Sequence, residues 1–291
     1  MIKKGIYFAS MSVINDDGTL NIDETLNHAD QIISGGASGA FIFGSTGQAM
    51  LINNDEKKEM IAKASTHKIK KNLYFGIGSN SISETIELIQ YAMEYKFNNF
   101  LIMPSAYYFV SNEGVYNYFK QIIKTLPKVK IILYNFEKLS KFLFEPAFVK
   151  KLVNDFPKNI VGCKDSSYNL YNKLKLQNFM MFPGSEKYLL DGLKNGSHGC
   201  ISATVNSTFK LSRKVFDDFE KKLPQSANEK LVKVRSVFDK YNLISALHSY
   251  FALKDSKYKN IIPPLSLLNE KDTKKLISEL ENLDFEIKKA A

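Results

Sequence analysis

The chain is short of the residues that announce many kinds of protein. It has 291 residues, with two cysteines, Cys163 and Cys200, and no tryptophan. Two cysteines make no disulfide framework, so a reducing, cytoplasmic setting is expected. The four histidines, His28, His67, His198 and His248, show no ligand spacing, and no metal is expected. No apolar run approaches a membrane span. The opening MIKKGIYFASMSV has too short an apolar stretch for a signal peptide and runs into polar NDDG. Arginine occurs only at Arg213 and Arg235, and every other basic residue is lysine. The net charge of +10 and a pI near 9.2 raise the question of a polyanion partner. Arginine, however, is the preferred reader of phosphates and bases, and the lysines are scattered without a long run. The charge therefore reads as solvated surface lysine, and neither nucleic acid nor membrane is expected as a partner.

What is present suits a soluble α/β protein. Hydrophobic residues make up 44% and charged residues 24%, and the length suffices for a good core. Short apolar runs recur as GIYFAS, GAFIFG, LYFGIG, NFLIMP, KIILYN, IVGCKD, FMMFPG and GCISAT. Helical spacing fills the stretches between them, over 22–34, 54–69, 83–97, 113–126 and 145–156. Acidic first turns at Asp55-Glu56 and Ser83-Glu84 mark helix starts, and Gly35-Gly36 marks a stop. About eight strand–helix units at a spacing of roughly 25 to 30 residues predict a parallel (β/α)8 TIM barrel. An open doubly wound sheet would carry a Gly-rich dinucleotide loop after its first strand, and GIYFASMS is not one. After Asn206 only helices are predicted, over 208–222, 225–242 and 270–283, with IIPP at 261–264 as a loop. The expected organisation is a barrel over 1–206 carrying the site and a C-terminal helical extension over 207–291.

Three strand ends carry unusual chemistry. Lys164 closes the apolar run IVGCK, where an ammonium is costly to desolvate. Active residues of such barrels sit where strands end. If Lys164 points inward, so does Gly162, and the glycine leaves space beneath it. Tyr134 ends the preceding run, KIILY, so the two should stand side by side. Burial favours the neutral, nucleophilic form of an amine, and a neighbouring tyrosine hydroxyl can shuttle protons. That pair is what imine chemistry on a ketone needs. The second strand ends in GSTGQ, 44–48. There Gly44 and Gly47 allow a tight turn, and Ser45 and Thr46 offer hydroxyls and backbone N–H groups to a carboxylate.

These segments, with YN at 134–135, GCKDSS at 162–167 and GSEKYLLDGLKNGSHGCISATVN at 184–206, resemble the dihydrodipicolinate synthase / N-acetylneuraminate lyase family of pyruvate-dependent class I aldolases. The resemblance covers nearly the whole chain and implies roles. Lys164 would form the Schiff base with pyruvate or a 2-keto acid, with no cofactor besides that covalent imine. Tyr134 would relay protons. Ser45 and Thr46, with Gly47 in the same turn, would hold the substrate carboxylate and bond Tyr134. Tyr107 would match the tyrosine that family members lend across a subunit interface, which implies a homotetramer. Gly184, Glu186, Ile201 and Ser202 would line the pocket for the variable aldehyde half.

The departures narrow the substrate. Synthases of the lysine pathway generally carry an arginine five residues after the YN tyrosine, and Leu139 stands there. Lys138 and Lys141 flank it without offering a bidentate fork. Sialic-acid lyases keep an acidic pair after the glycine matched by Gly184, whereas this chain reads Ser185-Glu186-Lys187. GCKDSS and IIPPLSLL lean towards 2-keto-3-deoxy-sugar-acid aldolases. Gln48 stands for a usual glutamate, Ser12-Val13 for a usual Thr-Pro, and Glu137 for a usual proline. The expected reaction is reversible cleavage of a 2-keto-3-deoxy sugar acid, or related 4-hydroxy-2-keto acid, to pyruvate and an aldehyde. The alternatives are an N-acetylneuraminate lyase, the dihydrodipicolinate synthase, a dehydratase on the same imine, or a keto-acid-binding sensor or scaffold without catalysis.

Overall fold

A computed structural model describes residues 2–285. Eight parallel strands form one sheet in the order β7-β6-β5-β4-β3-β2-β1-β8. They are β1 (Gly5–Ala9), β2 (Gly39–Ile42), β3 (Leu73–Gly76), β4 (Asn99–Ile102), β5 (Lys130–Asn135), β6 (Ile160–Asp165), β7 (Met180–Pro183) and β8 (Gly199–Ser202). The His198 N–H donates to the Met181 carbonyl at 2.8 Å, bringing β7 to the start of β8 and nearly closing the ring. This is a (β/α)8 barrel, as the spacing of apolar runs predicts.

The intervening helices are α1 (Ile22–Ser34), α2 (Asn54–Thr66), α3 (Ile82–Glu94), α4 (Asn112–Thr125), a single turn α5 (Glu137–Ser140), α6 (Pro146–Asp155), α7 (Leu189–Lys194) and α8 (Val205–Glu220). Their starts follow from local chemistry. The Asn21, Ser81 and Ser111 side chains accept from backbone N–H groups of the first turn, and Asn53 forms a reciprocal capping box with Glu56. Gly35 caps α1, at the stop read from Gly35-Gly36.

Two layers of core separate cleanly. The interior of the barrel is filled from its strands by Tyr7, Phe41, Leu101, Ile132, Tyr134, Val161, Phe182 and Ile201. The opposite strand faces, including Phe8, Ile42, Leu133 and Cys163, pack beneath the helices. One irregularity interrupts the alternation. Ile131 pairs with Ile160, but Ile132 pairs with Gly162, so Val161 is an extra residue in β6. Val161 and Gly162 therefore both face the interior. A Cβ at Gly162 would stand 2.6 Å from the Met180 carbonyl oxygen. The glycine is thus required by the neighbouring backbone, a different reason from the space beneath Lys164 that the sequence suggests.

The C-terminal part holds α9 (Asn228–Phe238), α10 (Leu243–Ala252) and α11 (Glu270–Glu281). The helix expected over 225–242 is shorter, and α10 was not expected. Asn242 explains the break, since its side chain accepts from the Ile244 and Ser245 N–H groups and starts a new helix. The division expected at 206/207 falls in the first turn of α8. The C-terminal helices cover Met11 and Val13, just past the end of β1, with Val234, Phe238, Leu247, Tyr250, Leu276 and Leu280. They therefore pack at the end of the barrel where the strands finish. Among the described residues, no helix is long and apolar enough to cross a membrane.

Candidate active site

Lys164 and Tyr134 are register partners at the ends of β6 and β5. Partners in a parallel ladder point to the same face, and Tyr134 belongs to the interior cluster. Lys164 is 3% exposed and Tyr134 6%. The Lys164 ammonium lies 4.2 Å from the centroid of the Tyr134 ring. Among the described residues, none of the ion pairs includes Lys164. A desolvated amine without a carboxylate partner is chemically available in a way that a bridged one is not.

The turn after β2 reaches the same pair. Ser45–Gly47 form one 3-10 turn, and the Ser45 hydroxyl stands 3.4 Å from the Tyr134 hydroxyl. Gly47 and Gln48 donate backwards to the Gly44 and Ser45 carbonyls, at 3.0 and 3.1 Å. Among the described residues, this leaves the Ser45 and Thr46 N–H groups without a backbone partner. The turn is held tightly. Ser12 donates to the Gly47 carbonyl at 2.7 Å, and a Cβ at Gly47 would stand 2.8 Å from the Ser10 carbonyl oxygen. Phe43 and Gln48, on either side, sit in the left-handed region at φ 61° and 57°. For residues with side chains this costs about 1–2 kcal/mol each. A small pocket opens beside the turn, lined among others by Ser45, Tyr134, Asn80, Leu101 and Met103.

The residues that follow Tyr134 and Lys164 point the other way and lock the loops. Asp165 is fully buried and accepts from Asn135 Nδ2 and from the Tyr168, Leu170 and Tyr171 N–H groups, at 2.8 to 2.9 Å. Burial pushes its carboxyl upward, and these four donors oppose the shift. Asn135 also donates to Asn169 at 2.7 Å and accepts from the Phe144 N–H at 3.2 Å. Asp165 is the last residue of β6, one position past Lys164. The available signal was the alternation itself, which places a polar residue next to each inward-facing one.

Around β7 and β8 the expected pocket residues are differently employed. Glu186 is fully buried. Its oxygens accept from Ser202 at 2.5 Å, Thr208 at 2.8 Å, Arg235 Nη1 at 3.2 Å, and Thr204. Burial alone would raise its carboxyl, but the Arg235 guanidinium and the hydroxyls outweigh this and hold it below the ordinary value. Ser202 also accepts from Arg235 at 2.9 Å. Glu186 and Ser202 are thus committed to an internal network with Arg235 of α9, a residue that sequence reasoning did not single out. Ile201 is an interior core residue. At Gly184 an added Cβ would meet the Ser166 hydroxyl, and its N–H donates to the Asp165 carbonyl at 2.7 Å. Leu139 sits on α5 and is 41% exposed.

Two further residues lie apart from the buried pair. Tyr107 is 80% exposed and adopts φ 82°, beside exposed Tyr108 and Phe109. His198 is half-buried at the opposite end of the barrel, and its Nδ1 accepts from the Met181 N–H at 3.2 Å. It cannot reach Lys164 from the entry of β8. Among the described residues, no group of three or more His, Cys, Asp or Glu is arranged to hold a metal ion.

Fold and site together define a parallel barrel with a buried lysine at the end of its sixth strand, a tyrosine beside it and a hydroxyl-rich turn opposite. A sequence model of the Dihydrodipicolinate synthetase family matches residues 3–283, and the chain belongs to that family. A 4-hydroxy-tetrahydrodipicolinate synthase of Bartonella bacilliformis is 30% identical over 169 residues, 57% of this chain and 56% of that protein. YagE of Escherichia coli, named a putative 2-dehydro-3-deoxy-D-gluconate aldolase, is 32% identical over 165 residues, 56% of this chain and 53% of that one. The chain thus spans about half the length of the curated relatives it matches. The crystal structure of YagE in complex with pyruvate aligns with a TM-score of 0.89 at 24% identity, covering 98% of this chain and all of that one. At that identity the likeness speaks for the fold.

Proposed function

We propose that the protein is a Schiff-base aldolase that reversibly cleaves a 2-keto-3-deoxy sugar acid, or a related 4-hydroxy-2-keto acid, into pyruvate and an aldehyde. The observation that carries this reading is the trio at the barrel mouth. Lys164 is buried without a carboxylate partner among the described residues, its ammonium 4.2 Å from the Tyr134 ring, and the Tyr134 hydroxyl is 3.4 Å from that of Ser45.

The chemistry follows from these positions. The neutral Lys164 amine attacks the C2 carbonyl of the keto acid, and the carbinolamine loses water to give an iminium. This cation draws the electron pair of the C3–C4 bond as the C4 hydroxyl surrenders its proton. The aldehyde leaves, and the enamine takes a proton at C3. Water then hydrolyses the imine and frees pyruvate and Lys164. Tyr134 serves as proton relay in these transfers. The Ser45 and Thr46 hydroxyls and unpaired N–H groups hold the substrate carboxylate, with Gly47 fixing the turn. Lys164, Tyr134, Ser45 and Thr46 need no cofactor for this sequence of steps. Leu139 provides no bidentate grip for a second carboxylate, which favours a sugar-acid aldehyde half over that of the lysine-pathway synthase. Gly184 borders the aldehyde side, with Glu186 and Ser202 as positioning residues within the Arg235 network. Tyr107 belongs to a site completed between copies in a homotetramer, as its exposure in the single chain suggests.

The test is direct. Incubation with pyruvate followed by borohydride should leave a reduced pyruvyl adduct on Lys164, read by intact and peptide mass, and absent from Lys164→Ala. A folded wild-type protein that forms no adduct would overturn the proposal.

A further inference from the structure

A second buried polar chain runs from the turn after β2 into the C-terminal helices. Gln48 is 2% exposed and His248 fully buried. The Ile262 N–H donates to Gln48 Oε1 at 2.7 Å. A backbone N–H can only donate, so this bond fixes the orientation of the Gln48 amide. Its Nε2 then faces His248 Nε2 at 3.3 Å and must donate to it. His248 Nε2 is therefore an acceptor, and its proton sits on Nδ1, which donates to the Tyr258 carbonyl at 3.0 Å. The donor and acceptor of each of these three bonds are thereby fixed in one arrangement. Burial holds His248 below the ordinary histidine range, in keeping with an uncharged ring.

Gln48 is also the residue that closes the Ser45–Gly47 turn, donating its N–H to the Ser45 carbonyl at 3.1 Å from a left-handed conformation. The side chain of one residue thus links α10 and the segment at Ile262 to the turn carrying Ser45 and Thr46. We propose that His248 is a positioning residue for this turn. Through Gln48 it holds the Ser45 and Thr46 groups in the geometry that binds the substrate carboxylate, so the C-terminal helices set keto-acid affinity without touching the keto acid. This rests on the reading of Ser45 and Thr46 as the carboxylate site.

The test compares wild type, His248→Ala, Gln48→Met and the double variant in the full chain. Two readouts are taken: the pyruvate concentration for half-maximal borohydride trapping on Lys164, and hydrogen exchange of residues 43–52. Each single variant should raise the half-saturating pyruvate about tenfold, the scale of one lost buried hydrogen bond. The trapping rate at saturating pyruvate should stay within about twofold, because Lys164 and Tyr134 are untouched. Exchange over 43–52 should quicken, and the double variant should be no worse than the poorer single one, as expected for two ends of one link. Gln48→Met keeps the side-chain volume and tests the link even if His248→Ala does not fold. Folded variants with unchanged half-saturation and unchanged exchange at 43–52 would overturn the inference. A wild type that traps no pyruvate, while exchange at 43–52 still responds to His248→Ala, would overturn the aldolase reading and support the coupling.

Discussion

Lys164 and Tyr134 are register partners on adjacent parallel strands, with the ammonium 4.2 Å from the centroid of the tyrosine ring. The ring shields one side of the amine from water and its hydroxyl reaches towards Ser45. Replacing the hydroxyl while keeping the ring separates these two duties. Tyr134→Phe should keep the fold and the melting temperature within a few degrees while slowing turnover by roughly 10²–10⁴-fold, the range of a general acid–base group. Steady-state kinetics beside a thermal melt checks this, and near-normal turnover would remove Tyr134 from the relay.

The buried Arg235–Glu186 pair should matter to stability. Arg235→Ala leaves the Glu186 carboxylate buried without its cation, which typically costs 3–5 kcal/mol, or roughly that here. The other donors, Ser202, Thr204 and Thr208, remain and soften the loss. The sign of the pH effect is fixed by the direction of the shift. Glu186 in the folded protein lies below its ordinary 4.5, so its contribution is present above that value and is lost as pH falls through the folded one. Denaturant unfolding against pH should show Glu186→Gln with a shallower acid limb than wild type. Equal slopes would assign the acid limb to other carboxylates.

His28 gives a second, higher pH window. It is fully buried between Asn206 Oδ1 and the Tyr258 hydroxyl, both at 2.8 Å, and burial lowers its pKa to about 4. Between the ordinary histidine value of 6.5 and about 4 the unfolded chain binds a proton that the folded chain refuses. Stability therefore falls as pH falls through that window, by on the order of 3 kcal/mol at its lower end. Melting between pH 7 and 5 should be flatter for His28→Gln than for wild type. An unchanged slope would place the proton uptake elsewhere.

Tyr107, Tyr108 and Phe109 are 80%, 68% and 90% exposed in the single chain. Three adjacent exposed aromatics are costly to leave in water. Light scattering should find an assembly of several copies, and Phe109→Glu should shift it towards smaller species with reduced activity. A monomer with full activity would exclude a tyrosine shared between copies.

The parallel barrel was legible because each strand is an apolar run ending in turn residues and each long helix shows its 3.6-residue spacing. Lys164 and Tyr134 were legible as a pair because consecutive strands in a barrel are neighbours. The Arg235–Glu186 network was not, because it joins α9 to β7 and β8 across 49 positions and leaves no local pattern. The same holds for Gln48 and His248, which lie 200 positions apart. Glu186 read as a ligand group because an acidic residue past a strand end looks available, and only its four donors show that it is spoken for. The helix read over 225–242 ends at Asn242, and α10 beyond it, almost wholly apolar, lacks the polar face that gives the other helices their spacing.

The extra residue in β6 sets the parity of everything after it. Counted inward from Val161 on a regular strand, Lys164 would fall on the odd side and face the helices, where an amine meets only apolar neighbours. The bulge restores the even count and turns the amine into the barrel mouth. Gly162 is what permits that extra step, since any Cβ there would press on the Met180 carbonyl. One hydrogen-sized side chain thus decides on which side of a strand wall the chemistry can take place.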